Sequence, residues 1–198
     1  MSTSGPIFVR TAPPPPAWQA FLRDQAARLH AADVTPRPWH WRALHNPWSR
    51  AAALFDAWGF LDLCSDAALL QPVRTAIGDD IILFDSFWLP DPWDEGGNGD
   101  ALFFPVAPLA GVTLLCDFAA GAAAGPGPTA FGARYFPATA RYLRDPAHPA
   151  HMALMERLPW VNYAAMPLWL VAGEDRAGND FVTGFNPRAA FWSEAPGF

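Results

Sequence analysis

The chain carries its densest cluster of reactive side chains in one acidic glycine loop, Trp93-Asp94-Glu95-Gly96-Gly97-Asn98-Gly99-Asp100. Crowded carboxylates raise one another's pKa and can act as a general acid–base pair. The same loop also reads as a solvated acidic surface. A second polar turn, Gly173-Glu174-Asp175-Arg176, carries both signs and reads either as an internally paired turn or as a site where Arg176 or Arg188 grips a substrate carboxylate. His148 and His151 are three apart and share a face if helical, but no carboxylate stands at matching spacing. His40 and His45 are five apart with Pro47 close by, which is not the spacing of a helical metal pair. There is no Gly-x-Ser-x-Gly, and neither cysteine has a histidine near it in sequence, so no nucleophile motif is present.

These residues have to be held by the elements around them. Two apolar runs, Ile81–Leu89 and Val112–Phe118, have strand length and turn residues at their ends, and they flank the acidic loop. Loops carried on rigid strands are a common place for a site. Upstream, Met1–Pro16 ends in four prolines and reads as an extended, flexible lead-in. The domain then runs over 17–198. Trp18–Ala32 has helical spacing at Trp18, Phe21, Leu22 and Leu29. Ser49–Trp58 and Asp66–Ile77 read as short helices, the second with Asp66 as N-cap and Gly78 as C-cap. Thr129–Tyr135, Pro167–Ala172 and Phe181–Phe185 read as strands, and His148–Leu158 as a helix. Thr35–Trp48 gathers three tryptophans, two histidines and two arginines. Trp39, His40 and Trp41 from this stretch, with Trp88, are the candidate walls of a substrate pocket; simple packing is the other reading.

Helices first and strands second predict an α+β or mainly β chain with a largely antiparallel sheet or barrel. GxGxxG and the P-loop are both missing, which argues against a nucleotide fold. The 198 residues are 52% hydrophobic and 16% charged, the composition of a folded globule. With net charge −6 and no lysine, the chain has no basic stripe to hold nucleic acid. No apolar run approaches the roughly 20 residues of a membrane span. No secretory leader is read, so a cytoplasmic location is expected, with Cys64 and Cys116 as buried reduced thiols.

Several pieces in order resemble the phytanoyl-CoA dioxygenase-like family of iron and 2-oxoglutarate oxygenases. Leu69-Leu70-Gln71-Pro72-Val73 with Ile77-Gly78-Asp79-Asp80-Ile81-Ile82-Leu83 is similar to the helix and strand that precede the family's iron motif. Pro105–Thr113 is similar to the segment that follows it. Asn179 and Arg188 match the family's late Asn and its 2-oxoglutarate-binding Arg. The resemblance spans roughly Leu69–Phe191 and implies a double-stranded β-helix, the jelly roll of cupin-like proteins, with N-terminal helices packed outside. It also implies an oxidoreductase using Fe(II) and 2-oxoglutarate on a hydrophobic small molecule.

The family's iron sits between a His-x-Asp pair and a distal His. In this chain Asn98 stands where the first His belongs, two residues before Asp100, and Gly173–Asn179 contains no histidine. An amide oxygen is a poor donor to Fe(II). Asp100 with Glu174 or Asp175 would make a harder site suited to Mg²⁺, Ca²⁺ or Mn²⁺. The expectation is a degenerate iron site at Asn98, Asp100, Glu174 and Asp175, binding neither iron nor 2-oxoglutarate. Two classes remain open: an oxygenase-like or repurposed enzyme, and a catalytically silent binder of a hydrophobic ligand or a partner.

Overall fold

The computed structural model describes residues 7–31, 37–89, 106–107, 111–118 and 128–181. In chain order the elements are β1 (Ile7–Thr11), α1 (Pro16–Ala31), 3-10 turns at Pro38–Trp41 and Arg50–Ala53, α2 (Ala57–Cys64), α3 (Ala67–Ile77), β2 (Ile81–Leu89), β3 (Val106–Ala107), β4 (Val112–Asp117), β5 (Ala130–Pro137), β6 (Arg141–Tyr142), α4 (Pro149–Arg157) and β7 (Trp169–Ala172). Five strands form one sheet in the order β1-β4-β5-β2-β7, and β3 pairs with β6 in a small second sheet. β1 runs parallel to β4; the other pairings are antiparallel. The chain is therefore α+β, built on a mixed five-stranded sheet.

Three caps set the start of α2 and both ends of α3. Asp66 caps α3 through the N–H groups of Ala68 and Leu69, and its other oxygen accepts from the Trp18 indole at 2.9 Å, tying α1 to α3. Gly78 ends α3 at φ +90°, a left-handed turn that glycine adopts without strain. Asp56 caps α2 through Gly59, and its own N–H reaches the buried Gln25 of α1.

Two expectations need correction. The first 16 residues are not only a lead-in, because Ile7–Thr11 pairs along β4 as an edge strand. Alternation in Ile-Phe-Val-Arg-Thr, with Ile7, Val9 and Thr11 half-buried and Phe8 and Arg10 exposed, is the signal outweighed by the prolines behind it. The helix placed at Ser49–Trp58 is a 3-10 turn followed by α2, which starts only after the Asp56 cap. The strand expected at Phe181–Phe185 lies, beyond its first residue, outside the described residues.

The sheet separates two cores. On one face Ile81, Leu83, Trp88, Leu114, Phe131 and Tyr135 pack against Leu22, Phe60, Leu63 and Val73 from the three N-terminal helices. On the other, Ile82, Phe84 and Phe136 meet Tyr142, Leu154, Tyr163 and Met166. β2 lies between β5 and β7 and is buried on both faces, so it reads as a nearly continuous apolar run.

Candidate functional site

The single acid inside that run, Asp85, organises the most unusual chemistry in the described residues. A bulge between Leu83 and Asp85 breaks the register with β5. Leu83 faces Tyr135 on the helix side, whereas Asp85 pairs with Arg134 on the opposite face, which carries the Tyr142–Tyr163 core and is termed the inner face. The extra residue, Phe84, lets two successive side chains project inward, as bulges do. The Asp85 and Arg42 side chains are fully buried, and that of Arg134 is 3% exposed.

Asp85 is heavily committed. Its Oδ1 accepts from the N–H groups of Ala43 at 3.2 Å and Ser86 at 2.9 Å. Its Oδ2 accepts from Arg134 Nη1 at 3.2 Å and from the Tyr163 hydroxyl at 3.0 Å, with Arg42 Nη1 at 3.9 Å. Four hydrogen bonds use the lone-pair positions of a carboxylate. Asp85 is thus an anchor for two guanidiniums rather than a proton shuttle. Burial raises the Tyr163 pKa far above the phenol range, and the Asp85 charge adds to this, so Tyr163 remains a donor.

Phe87 completes the centre. Its ring lies 5.1 Å from the Arg42 guanidinium and 4.3 Å from that of Arg134. The ring rests on Gly132, where a Cβ would fall 2.4 Å from it, so only glycine fits beneath. Arg42 reaches the sheet because its segment bridges antiparallel to Phe87 and Leu44 donates to the Ser86 carbonyl. Ala43 holds φ +53° there, an uncommon left-handed state for a residue with a Cβ. Next to it, the Ser86 hydroxyl accepts from the His45 N–H at 2.9 Å and lies 2.8 Å from His45 Nδ1. Burial lowers the His45 pKa to about 3, so the ring is neutral. Both side chains are fully buried, and Nε2 has no partner among the described residues. A serine beside an imidazole has the elements of a nucleophile and base, but neither is accessible; here the pair fastens the segment to β2.

The residues singled out by sequence fall elsewhere. Asn98, Asp100 and Arg188 lie outside the described residues. Glu174 is exposed; its N–H donates to Asp80 and its carboxylate stands 3.8 Å from Arg176. The Glu174 N–H, then the Arg176 guanidinium, hold the Asp80 carboxyl below its usual range. Asp175 accepts from Ala177 and from both nitrogens of Asn179. Asn179 in turn accepts from the Tyr142 N–H at 2.8 Å and donates to the Ala140 carbonyl at 3.0 Å. Glu174, Asp175 and Asn179 are therefore brought into one loop, where their bonds staple it to β6 and to the turn before β2.

The proposed pocket walls do not converge. Trp88 lies at the centre of an aromatic cluster with Phe55, Phe60, Phe118 and Phe131 on the helix face. Trp41 joins the same core, while Trp39 is half-buried under Arg50, 4.9 Å from its guanidinium. Histidines are likewise committed. His40 Nδ1 accepts from the Arg37 N–H at 3.2 Å, and His151 Nε2 bonds the Leu143 carbonyl. Among the described residues no group of three His, Cys, Asp or Glu side chains is arranged to hold a metal ion. Cys64 and Cys116 are buried and free; burial pushes both thiols up, Cys116 to about 12.

Arg42, Asp85, Arg134 and Tyr163 were the residues missed. Their signal was one acid and one arginine inside strand-like apolar runs, which are almost never buried unless paired. The chain matches no protein-family model, no curated protein and no solved structure.

Proposed function

We propose that this chain is a jelly-roll protein similar to the phytanoyl-CoA dioxygenases that binds a small hydrophobic molecule without iron chemistry. The large antiparallel part of the sheet, the helices on its outer face and the small β3–β6 sheet near the inner core support that fold. The ionic centre carries the functional reading. In the middle of the inner face, Arg42, Asp85, Arg134 and Tyr163 form a packed group whose carboxylate is consumed by hydrogen bonds. Such a group is a packed anchor; it supplies neither an iron ligand nor a base. At the family's metal positions the donor set of Asn98 and Asp100 does not fit Fe(II), which prefers imidazole. No step is assigned to iron or to 2-oxoglutarate.

The test is a titration of the full chain with 1-decanol and decanoate, followed by tryptophan emission and thermal melting. Saturable binding that raises the melting temperature is the expected result. Absence of saturable binding by either probe would remove the ligand-binding reading.

A further inference from the structure

β1 ends the five-stranded sheet, and its geometry exposes a second surface independent of the inner face. Ile7 donates to the Gly111 carbonyl, so in a parallel ladder Ile7, Val9 and Thr11 point their main-chain groups at β4. Phe8 and Arg10 therefore point theirs outward, and no described strand lies on that side. The side chains there are unusual for an edge. Phe8 is 44% exposed, while Arg10 reaches across the ladder to Asp117 of β4 at 3.0 and 3.1 Å. Beside the edge a groove of about 360 Å³ runs between the strand's end and α3, lined by Val9, Thr11, Pro13, Pro15, Leu69 and Pro72.

We propose that the outer edge of β1 is a self-recognition surface on which a second copy of this chain pairs antiparallel about Val9. The sequence of the strand is complementary to itself in this arrangement. Val9 faces Val9, Ile7 faces Thr11 at the mouth of the groove, and Phe8 faces Arg10. The outward groups of Phe8 and Arg10 then form the hydrogen-bonded pairs, and Val9 the close non-bonded pair. Each Phe8 ring lies against the Arg10 side chain of the other copy, a cation flanked by Asp117, so cation–π attraction is available there and like charges are never opposed. The strand ends at Thr11 and four prolines follow at 13–16, which keeps the edge short and limits templating of longer aggregates. The interface is small, so the dimer belongs to the weak, reversible class.

Sedimentation of the full chain over a wide concentration range tests this, with far-UV circular dichroism as the check on folding. The wild type is expected to show a reversible monomer–dimer equilibrium. Phe8→Lys sets a second cation against Arg10 and Phe8→Glu sets an anion there, so the lysine variant is expected to dimerise about tenfold more weakly than the glutamate variant, about 1.4 kcal/mol. Phe8 is an exposed side chain, and neither change touches the core. In the Val9 pair the Cα atoms lie about 4.5 Å apart, within disulfide range, so Val9→Cys is expected to cross-link two copies on mild oxidation. A monomer at every concentration, equal dimerisation of the lysine and glutamate variants, or a dimer that Val9→Cys does not cross-link would each overturn the proposal.

Discussion

The two faces of β2 solve the same problem, burying a strand completely, with opposite chemistry. Toward the helices the solution is aromatic: Trp88 meets Phe60 edge-on at 5.3 Å, and Phe60 stacks on Phe131 at 5.6 Å. Toward the inner face it is ionic, with Asp85 holding Arg134 and Arg42 across the Phe87 ring. Dispersion and area burial are spread over many contacts and tolerate local change. A buried ion cluster depends on each member, because a guanidinium left without its carboxylate bears the whole desolvation penalty. The difference marks the inner face as the specified one.

Breaking each face in turn sets the largest effects. Asp85→Asn keeps the shape but removes the charge, with an expected loss of about 3–5 kcal/mol in urea unfolding. Phe60→Ala costs a comparable amount, about 3–5 kcal/mol, by leaving a cavity. Repair separates the two. Replacing the guanidiniums as well, as Arg42→Met and Arg134→Met on the Asp85→Asn background, is expected to recover most of that loss, since the amide oxygen can still accept from Ala43 and Ser86 and no unpaired charge stays buried. Failure of the triple variant to recover stability would show that the loss does not come from guanidiniums left buried without their carboxylate.

Acid sharpens the contrast next. His45 has a folded pKa of about 3 against 6.5 in an unfolded chain. Its neutral form favours the fold fully above pH 6.5, and that contribution is lost as pH falls toward 3. The expected slope is about 1.4 kcal/mol per pH unit in that window, and His45→Gln should flatten it in chemical denaturation series. Gly132→Ala comes next: a methyl driven against the Phe87 ring is expected to cost about 1–3 kcal/mol, with Phe87→Leu restoring much of it in a double-mutant cycle. Smallest is Glu174→Gln in the exposed loop, expected within about 0.5 kcal/mol of wild type. A larger loss there would give the loop a weight like that of the inner face.

The outer, apolar half of this architecture was legible in the sequence. Helix periodicity at Trp18, Phe21, Leu22 and Leu29, the Asp66 cap and the Gly78 stop follow from local rules, and the structure places α1 and α3 within a residue or two of their expected bounds. The runs at Ile81–Leu89 and Val112–Phe118 became β2 and β4 for the same reason. The ionic centre was not legible, because its members lie far apart in sequence: 42, 85, 134 and 163. A bulge, which has no reliable sequence mark, decides that Asp85 turns inward. Side-chain type alone also misled at Trp88, where an aromatic beside an acidic loop looks like a pocket wall but fills the helix-side core. Glu174, Asp175 and Asn179 drew notice as a polar cluster, and their bonds fasten a loop.

Anaerobic equilibrium dialysis of the full chain against Fe(II) and 2-oxoglutarate, with metal content and bound 2-oxoglutarate quantified together, bears most directly on the absence of iron chemistry. Background-level iron and no saturable 2-oxoglutarate are predicted. One iron per chain, held with one 2-oxoglutarate, would contradict it.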